Sequence, residues 1–274
     1  MISATLSAGS GRGGLLARAL LGDAYAALGL VGAIDTEDGA RLVALGVHAD
    51  RVRVTGDTRY DQVAARAAAT DPASGLLSPL ASARPTLVAG STWPADEAAL
   101  LAAWLDVRRA VPDARLIIAP HEPTPEHLAP VEQWARGAGL SIARLGDATA
   151  THDVVLVDRV GVLGELYALA DAAFVGGGFH AAGLHSVLEP AAFGAPVLFG
   201  PLHANSRDAG LLIAARGGEA VRDTTELARA LRILLDEPDT RTRAGAAAKR
   251  VVQQGLGAAE RSTSLVEELL ERQR

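Results

Sequence analysis

Apolar positions along the chain fall into two alternating kinds of run. Short β-branched runs bounded by Gly or Pro read as buried strands: PTLVAGS (85–91), ARLIIAP (114–120), SIARL (141–145), DVVLVD (153–158), AAFVGG (172–177) and PVLFGP (196–201). Between and after them, apolar residues three and four apart read as helices: ADEAALLAAWLDVRRAV (95–111), PEHLAPVEQWARGAG (125–139), VLGELYALA (162–170), a helix beginning near Ser186, SRDAGLLIAARGG (206–218), and a helix capped by Thr224. Two further helical stretches close the chain (239–255 and 258–274). Strand–helix alternation of this kind predicts an α/β fold, with a parallel sheet covered by helices on both faces. Ligands of such sheets lie beyond the carboxyl ends of the strands.

Residues before about Asp57 follow another pattern. They read as a glycine-rich entry, two helices and one strand, RVRVTG (51–56), too little for a complete sheet. The division predicted is therefore 1–56, the tail of another domain, and 57–274, an independent domain. The apolar stretch Leu15 to Ile34 is broken by Arg18 and Asp23, which favours a packed helix over a membrane span.

Composition narrows the chemistry. The 274 residues are 49% hydrophobic but only 4% aromatic, so the core is built from Ala, Leu and Val. A net charge of −6 with no basic run argues against nucleic acid as the partner. The absence of Cys removes disulfides, thiolate metal sites and thiol nucleophiles together, and fits a reducing cytoplasm. No secretory signal is visible at Met1.

The most conspicuous motif is AFVGGGFHAAGLHSVLEP (173–190). Gly176-x-Gly178-x-x-Ala181 loosely matches a dinucleotide fingerprint, but the next strand ends LFGP, with no acid to hold a ribose. Two readings remain. The glycines, Gly177 and Gly178 among them, allow close packing of backbone, or their N–H groups and the following helix start form an anion site. Ser186-x-x-Glu189 is the spacing of a capping box, and Glu189 is equally placed to accept from ribose hydroxyls. Pro123 and Pro125 separate His121 from His127 and argue against a metal pair there. His121, His180, His185 and His203 all fall in loops on the predicted ligand edge, a pattern that raises the case for an anionic ligand. Ser91 and Thr92 directly follow a strand, able to meet a ligand or cap a helix. Arg59 is a candidate cation at a cleft between domains, or an exposed ion-pair partner. No motif calls for a metal or a cofactor.

In order along the chain, RVRVTGDTRYD, VAGSTWPADE, LIIAPHEP, DRVGVLGELYALADAAFVGGGF and GLHSVLEPAAFGAPVLFGP, followed by Asn205, resemble the 3-deoxy-D-manno-octulosonic acid (Kdo) transferases of lipopolysaccharide assembly. The resemblance implies a GT-B fold of two Rossmann-like halves. It implies metal-free, inverting transfer of Kdo from CMP-Kdo to a lipid A precursor at the cytoplasmic face of the inner membrane. In that family the amino-terminal half binds the acceptor, carries a membrane-anchoring segment and supplies a glutamate base, while the carboxyl-terminal half binds the cytidine nucleotide. The chain resembles the second half with the end of the first. The expectation is a truncated Rossmann-like remnant ahead of a complete nucleotide domain, soluble and cytoplasmic by itself, with the missing half lost or on a partner chain.

Carried over residue by residue, the resemblance puts the CMP-sugar pocket on Pro120 and His121, on Val160, Gly161 and Val162, and on Ser186, Val187, Leu188 and Glu189. Arg59 matches a cation that stabilises the transition state. Three positions depart from the family pattern: Ser186 stands where Asn follows His185, Leu184 replaces a glycine after Gly183, and Val162 replaces a glutamate. Two other readings stay open, a UDP-GlcNAc 2-epimerase-like isomerase of the same fold, and a non-catalytic nucleotide-binding module of a split enzyme.

Overall fold

The computed structural model describes residues 1–7, 10, 12, 15–181 and 183–271. Its contacts divide the chain into two compact units, Met1–Val63 with Gln253–Arg274, and Ala64–Val252. Helices α3 (Thr58–Ala69) and α10 (Pro238–Gln254) contain the two boundaries.

The first unit holds α1 (Leu15–Ala26), β1 (Val31–Ala33), α2 (Thr36–Leu45), β2 (Val52–Val54) and the last helix, α11 (Ala258–Glu271). β1 and β2 pair in parallel, and Ala4 bridges to Ala33. The sequence reading expected one strand here. β1 escaped it because three small residues, Val-Gly-Ala, carry no alternation. Ala4, Val31, Ala33, Leu42 and Val47 form the buried cluster. Asp61 ties α11 to this unit by accepting from the N–H groups of Gly257 (2.7 Å) and Ala259 (2.9 Å) at the helix start. Several residues of the glycine-rich entry lie outside the described residues.

The second unit is the predicted α/β layer structure. Seven parallel strands run in the order β5 (Ile142–Arg144), β6 (Val154–Leu156), β4 (Arg115–Pro120), β3 (Thr86–Thr92), β7 (Ala172–Val175), β8 (Val197–Phe199), β9 (Gly218–Ala220). Alternate strand residues face opposite layers, as the pleat requires. Leu87, Leu116, Ile118, Leu156 and Phe174 meet α4 (Pro94–Ala110), α5 (Pro125–Gly137) and α9 (Thr224–Asp236). Val88, Ile117, Val155 and Ala173 meet Leu77, Leu80, Leu166 and Tyr167 on the other face. α6 (Leu163–Leu166), α7 (Leu188–Phe193) and α8 (Arg207–Ala215) complete the unit.

Three local expectations change. α8 ends just before the glycines predicted to stop it, capped by Arg216 in the left-handed region (φ 62°), and Gly218, facing the Val197 carbonyl, opens β9. The cap of α9 is Asp223 rather than Thr224; its carboxylate accepts from the N–H of Glu226 at 2.9 Å. The helix near Ser186 starts at Leu188, and its preceding residue, Val187, is helical and makes no side-chain cap bond. The Ser186–Glu189 capping box is therefore not formed.

From β3 the chain steps to β4 on one side, and later to β7 on the other. That reversal, between β3 and β7, is the topological switch point where open α/β sheets hold ligands.

Candidate functional site

The end of β3 carries unusual backbone. The pairing with β4 shifts between Gly90 and Thr92, and Ser91 sits at φ 54°, in the left-handed region. A non-glycine residue held there costs of order 1 kcal/mol or more, and such strain gathers at functional corners. Thr92 turns inward. It is buried, and its hydroxyl donates to Glu97 at 2.9 Å. Burial pushes the Glu97 carboxyl above its ordinary range, opposed by that hydrogen bond. Of the two roles expected for Thr92, a ligand contact or a helix cap, the structure shows its hydroxyl engaged within the protein, on the Glu97 side chain of α4.

What packs against Gly176, Gly177 and Gly178 is protein. A Cβ on Gly176 would lie 2.7 Å from Thr92 Cα and collide with the Ser91 carbonyl. One on Gly178 would lie 2.7 Å from Gly200 Cα. Gly177, at φ +90°, faces the Gly183 carbonyl. Two of the glycine N–H groups are occupied as well: Gly176 donates to the Gly90 carbonyl at 2.9 Å, and Gly177 to a side chain. Asp96, fully buried at the third position of α4, accepts from Gly177 N–H (2.7 Å) and Trp93 N–H (3.0 Å) on one oxygen and from Phe179 N–H (2.9 Å) on the other. The anion at this corner is the protein's own carboxylate. The predicted anion site is corrected at Gly176 and Gly177, whose N–H groups the protein itself takes, and Gly177 and Gly178 both pack against backbone. Asn205 is structural too: its side-chain oxygen accepts from Leu184 N–H at 3.4 Å and its amide fills the space beside Gly183.

Around this clamp the loops after β3, β4 and β7 gather aromatic rings. Trp93 stacks on His180 (centroids 4.9 Å apart, planes 12° apart) and lies 4.6 Å from His121. His121 lies 4.4 Å from His185. The Trp93 indole N–H donates to His185 Nε2 at 3.2 Å. Burial, with a smaller push from His121, lowers the His185 pKa below the ordinary imidazole value, opposed by Asp96. The structure thus brings together His121, His180 and His185 of the predicted rim. His203 stands apart, against Phe199, its Nδ1 buried without a hydrogen-bond partner.

A second group forms on the same edge. Glu189 in α7 is half-buried, with Arg66 Nη1 3.6 Å from its carboxylate. Desolvation raises the Glu189 pKa, and Arg66 opposes the rise. Tyr167 is buried beside Gly90, where a Cβ would strike its hydroxyl. Of the neighbouring candidates, Val187 and Leu188 are core residues, while Ser186 is exposed. Pro120 closes β4 and is buried. The corner after β6 is open: Val160 is 77% exposed, and a Cβ on Gly161 (φ +88°) would meet nothing within 4 Å. Val162 packs against the core cluster below the sheet. Arg59 belongs to the other unit, where its guanidinium pairs with Asp57 (Nη2 to carboxylate 2.6 Å).

Sequence reasoning did not single out Trp93, Asp96 or Arg66. Asp96 was legible only as a helix first-turn acid, since its loop partners lie 81 and 83 residues away. Among the described residues, no group of three His, Asp or Glu side chains is arranged to hold a metal ion. Among them, too, no helix is long and apolar enough to cross a membrane.

Comparison with known proteins gives the kinship. Residues 1–62 match the family model described as 3-deoxy-D-manno-octulosonic-acid transferase (kdotransferase). The 3-deoxy-D-manno-octulosonic acid transferase of Bordetella pertussis is 33% identical over 280 residues, covering 98% of this chain and 63% of its own length. The chain spans about half the length of the curated relatives it matches. Among solved structures, the carboxyl-terminal CMP-Kdo binding domain of WaaA from Acinetobacter baumannii aligns with TM-score 0.57 and 24% identity, over 70% of this chain and 99% of that one. UDP-GlcNAc 2-epimerase from Neisseria meningitidis aligns with TM-score 0.66 at 16% identity, over 98% of this chain and 68% of that one. Both likenesses are of fold.

Proposed function

Since this chain belongs to the Kdo transferase family, we propose that its larger unit binds the cytidine nucleotide of CMP-Kdo, as the donor side of a glycosyltransferase of lipopolysaccharide assembly. The observation that carries this reading is the joining of His121 and His185, from loops 64 residues apart in sequence, into one ring cluster at the switch point. On the same edge Glu189 offers a carboxylate for ribose hydroxyls, and the open corner at Val160, Gly161 and Val162 offers backbone. We further propose that residues 1–56 are the end of an acceptor-binding domain and 57–274 carry the nucleotide domain, whose compact part is Ala64–Val252 while Gln253–Arg274 returns to the first unit. The whole enzyme would then deliver Kdo to a lipid A precursor with inversion, at the membrane surface.

The chemistry suits such a site. Cleavage of a CMP-sugar passes through an oxocarbenium-like state and leaves a phosphate monoester that gains negative charge. Preorganised donors aimed at that phosphate stabilise it as the bond breaks. With the Gly177 and Phe179 amides taken by Asp96 and that of Gly176 by the Gly90 carbonyl, we propose side chains as those donors. His121 and His185 are the candidates in the larger unit, and Arg59 is the candidate that the family resemblance supplies.

Calorimetry with CMP, UMP and UDP tests the reading. CMP should bind measurably and more tightly than UMP or UDP. Equal affinities would remove the cytidine assignment, and a preference for UDP would favour an epimerase-like chemistry.

A further inference from the structure

Trp93 and His185 face each other through a hydrogen bond whose direction is fixed by chemistry. An indole N–H only donates. His185 Nε2, 3.2 Å away, must therefore be the unprotonated nitrogen of a neutral imidazole. His121 packs on both rings, at 4.6 Å from Trp93 and 4.4 Å from His185, and His180 stacks on the other part of the indole at 4.9 Å. Among the described residues, the carboxylate that acts on His185 is Asp96 on α4. It is already shared among three backbone N–H groups, and the next acid on that helix, Glu97, is bonded to Thr92. Both acids are thus already engaged by protein donors, and neither is left to pair with a charged His185.

A proton added to Nε2 of His185 would leave two N–H groups, from imidazolium and indole, pointing at each other with no acceptor between them. An oxygen of a phosphate ester satisfies both and neutralises the new charge. This inference rests on the nucleotide reading above and adds to it where the phosphate sits and what it carries in. We propose that Trp93, His121, His180 and His185 form a proton-linked phosphate site, in which His185 takes a proton from solvent as a phosphate ester docks and Trp93 turns its N–H from His185 to the ester oxygen.

The sign of the linkage follows. In the free protein, burial holds His185 neutral to a lower pH than an ordinary imidazole. A bound dianion favours the charged form, so its pKa rises on binding. Between the free and bound titration points, and above the phosphate's own second pKa of about 6, each step down in pH tightens binding, by at most about tenfold per pH unit for one linked proton.

The test uses the whole chain. Histidine Hε1 and indole N–H signals are followed by NMR from pH 5 to 8, alone, with CMP and with inorganic phosphate. CMP affinity is measured across the same range, in buffers of differing ionisation enthalpy. The proposal expects CMP to raise the His185 titration point and shift the Trp93 N–H signal. It also expects up to one proton to be taken up per CMP bound, and an affinity at least fivefold higher at pH 6 than at pH 7.5. His185→Gln keeps an acceptor for Trp93 but cannot be protonated, so it should lose the pH dependence. If CMP binds with no proton uptake and unchanged His185 titration, the proposal is overturned while the nucleotide reading survives. If neither CMP nor phosphate binds at any pH, both fall.

Discussion

Two glycine corners stand at the carboxyl edge of the same sheet and do opposite things. After β7, Gly176, Gly177 and Gly178 are buried, each with other backbone where a side chain would be. After β6, Gly161 has a left-handed φ of +88° and open space around its Cα. The first corner spends its glycines on the protein's own crossing of β3, β7 and β8, and the amides of Gly177 and Phe179 on Asp96. The second needs glycine only for backbone conformation and keeps its surface free. A glycine-rich signature therefore does not by itself mark a ligand, because close packing of three chain segments asks for the same residues.

The difference is sharpest in Gly176→Ala. The new methyl must displace the backbone of Ser91 and Thr92, which the sheet holds on both sides. A loss of at least about 3 kcal/mol is expected, read as a fall in the urea midpoint, since overpacking here has no flexible side chain to yield. Unchanged stability would mean that the three-segment contact is not as tight as drawn. Asp96→Asn comes next. It keeps the volume but turns a donor toward one of three N–H groups, so a loss of about 2–4 kcal/mol is expected. Amide exchange at Gly177 and Phe179 should quicken well beyond the global change.

Gly161→Ala belongs to the open corner and should be milder, about 1 kcal/mol from the left-handed φ alone. Any larger effect on CMP affinity than on stability would show that backbone at this corner approaches the nucleotide.

The contrast also explains what the sequence could convey. Strands β3, β4, β6, β7 and β8 were legible because each is a continuous apolar run, bounded by Asp in β6 and by Gly or Pro on at least one side in the others, as buried parallel strands are. β1 and β9 were not, being three residues long with glycine inside. At the site, the loops carrying His121, His180 and His185 could be placed on one edge from topology alone. Their gathering around Trp93 could not, since ring contacts between loops have no periodicity to read. Asp96 illustrates the limit best. Ser186 and Glu189 have the spacing of a capping box and do not form one, whereas Asp96 caps its own helix through Trp93 N–H and clamps a loop some 80 residues on.

Glu189 gives the smallest effect and the finest distinction. Its carboxyl is raised above the ordinary range by burial, more than Arg66 restores. A carboxyl shifted in that direction contributes stability at pH values below its unfolded pKa, and the contribution is lost as pH rises through the folded value. At neutral pH the ionised side chain is therefore a small liability to the fold. Glu189→Gln should raise the melting temperature slightly at pH 7, and the gain should vanish as pH falls into the ordinary carboxylate range. A cap residue would behave in the opposite way, its loss costing about 1 kcal/mol. If the carboxylate is instead kept for a ribose, the same substitution should weaken CMP binding about tenfold while the fold gains. That pairing of weaker binding with a steadier protein is what a residue retained for a ligand, at the fold's expense, must show.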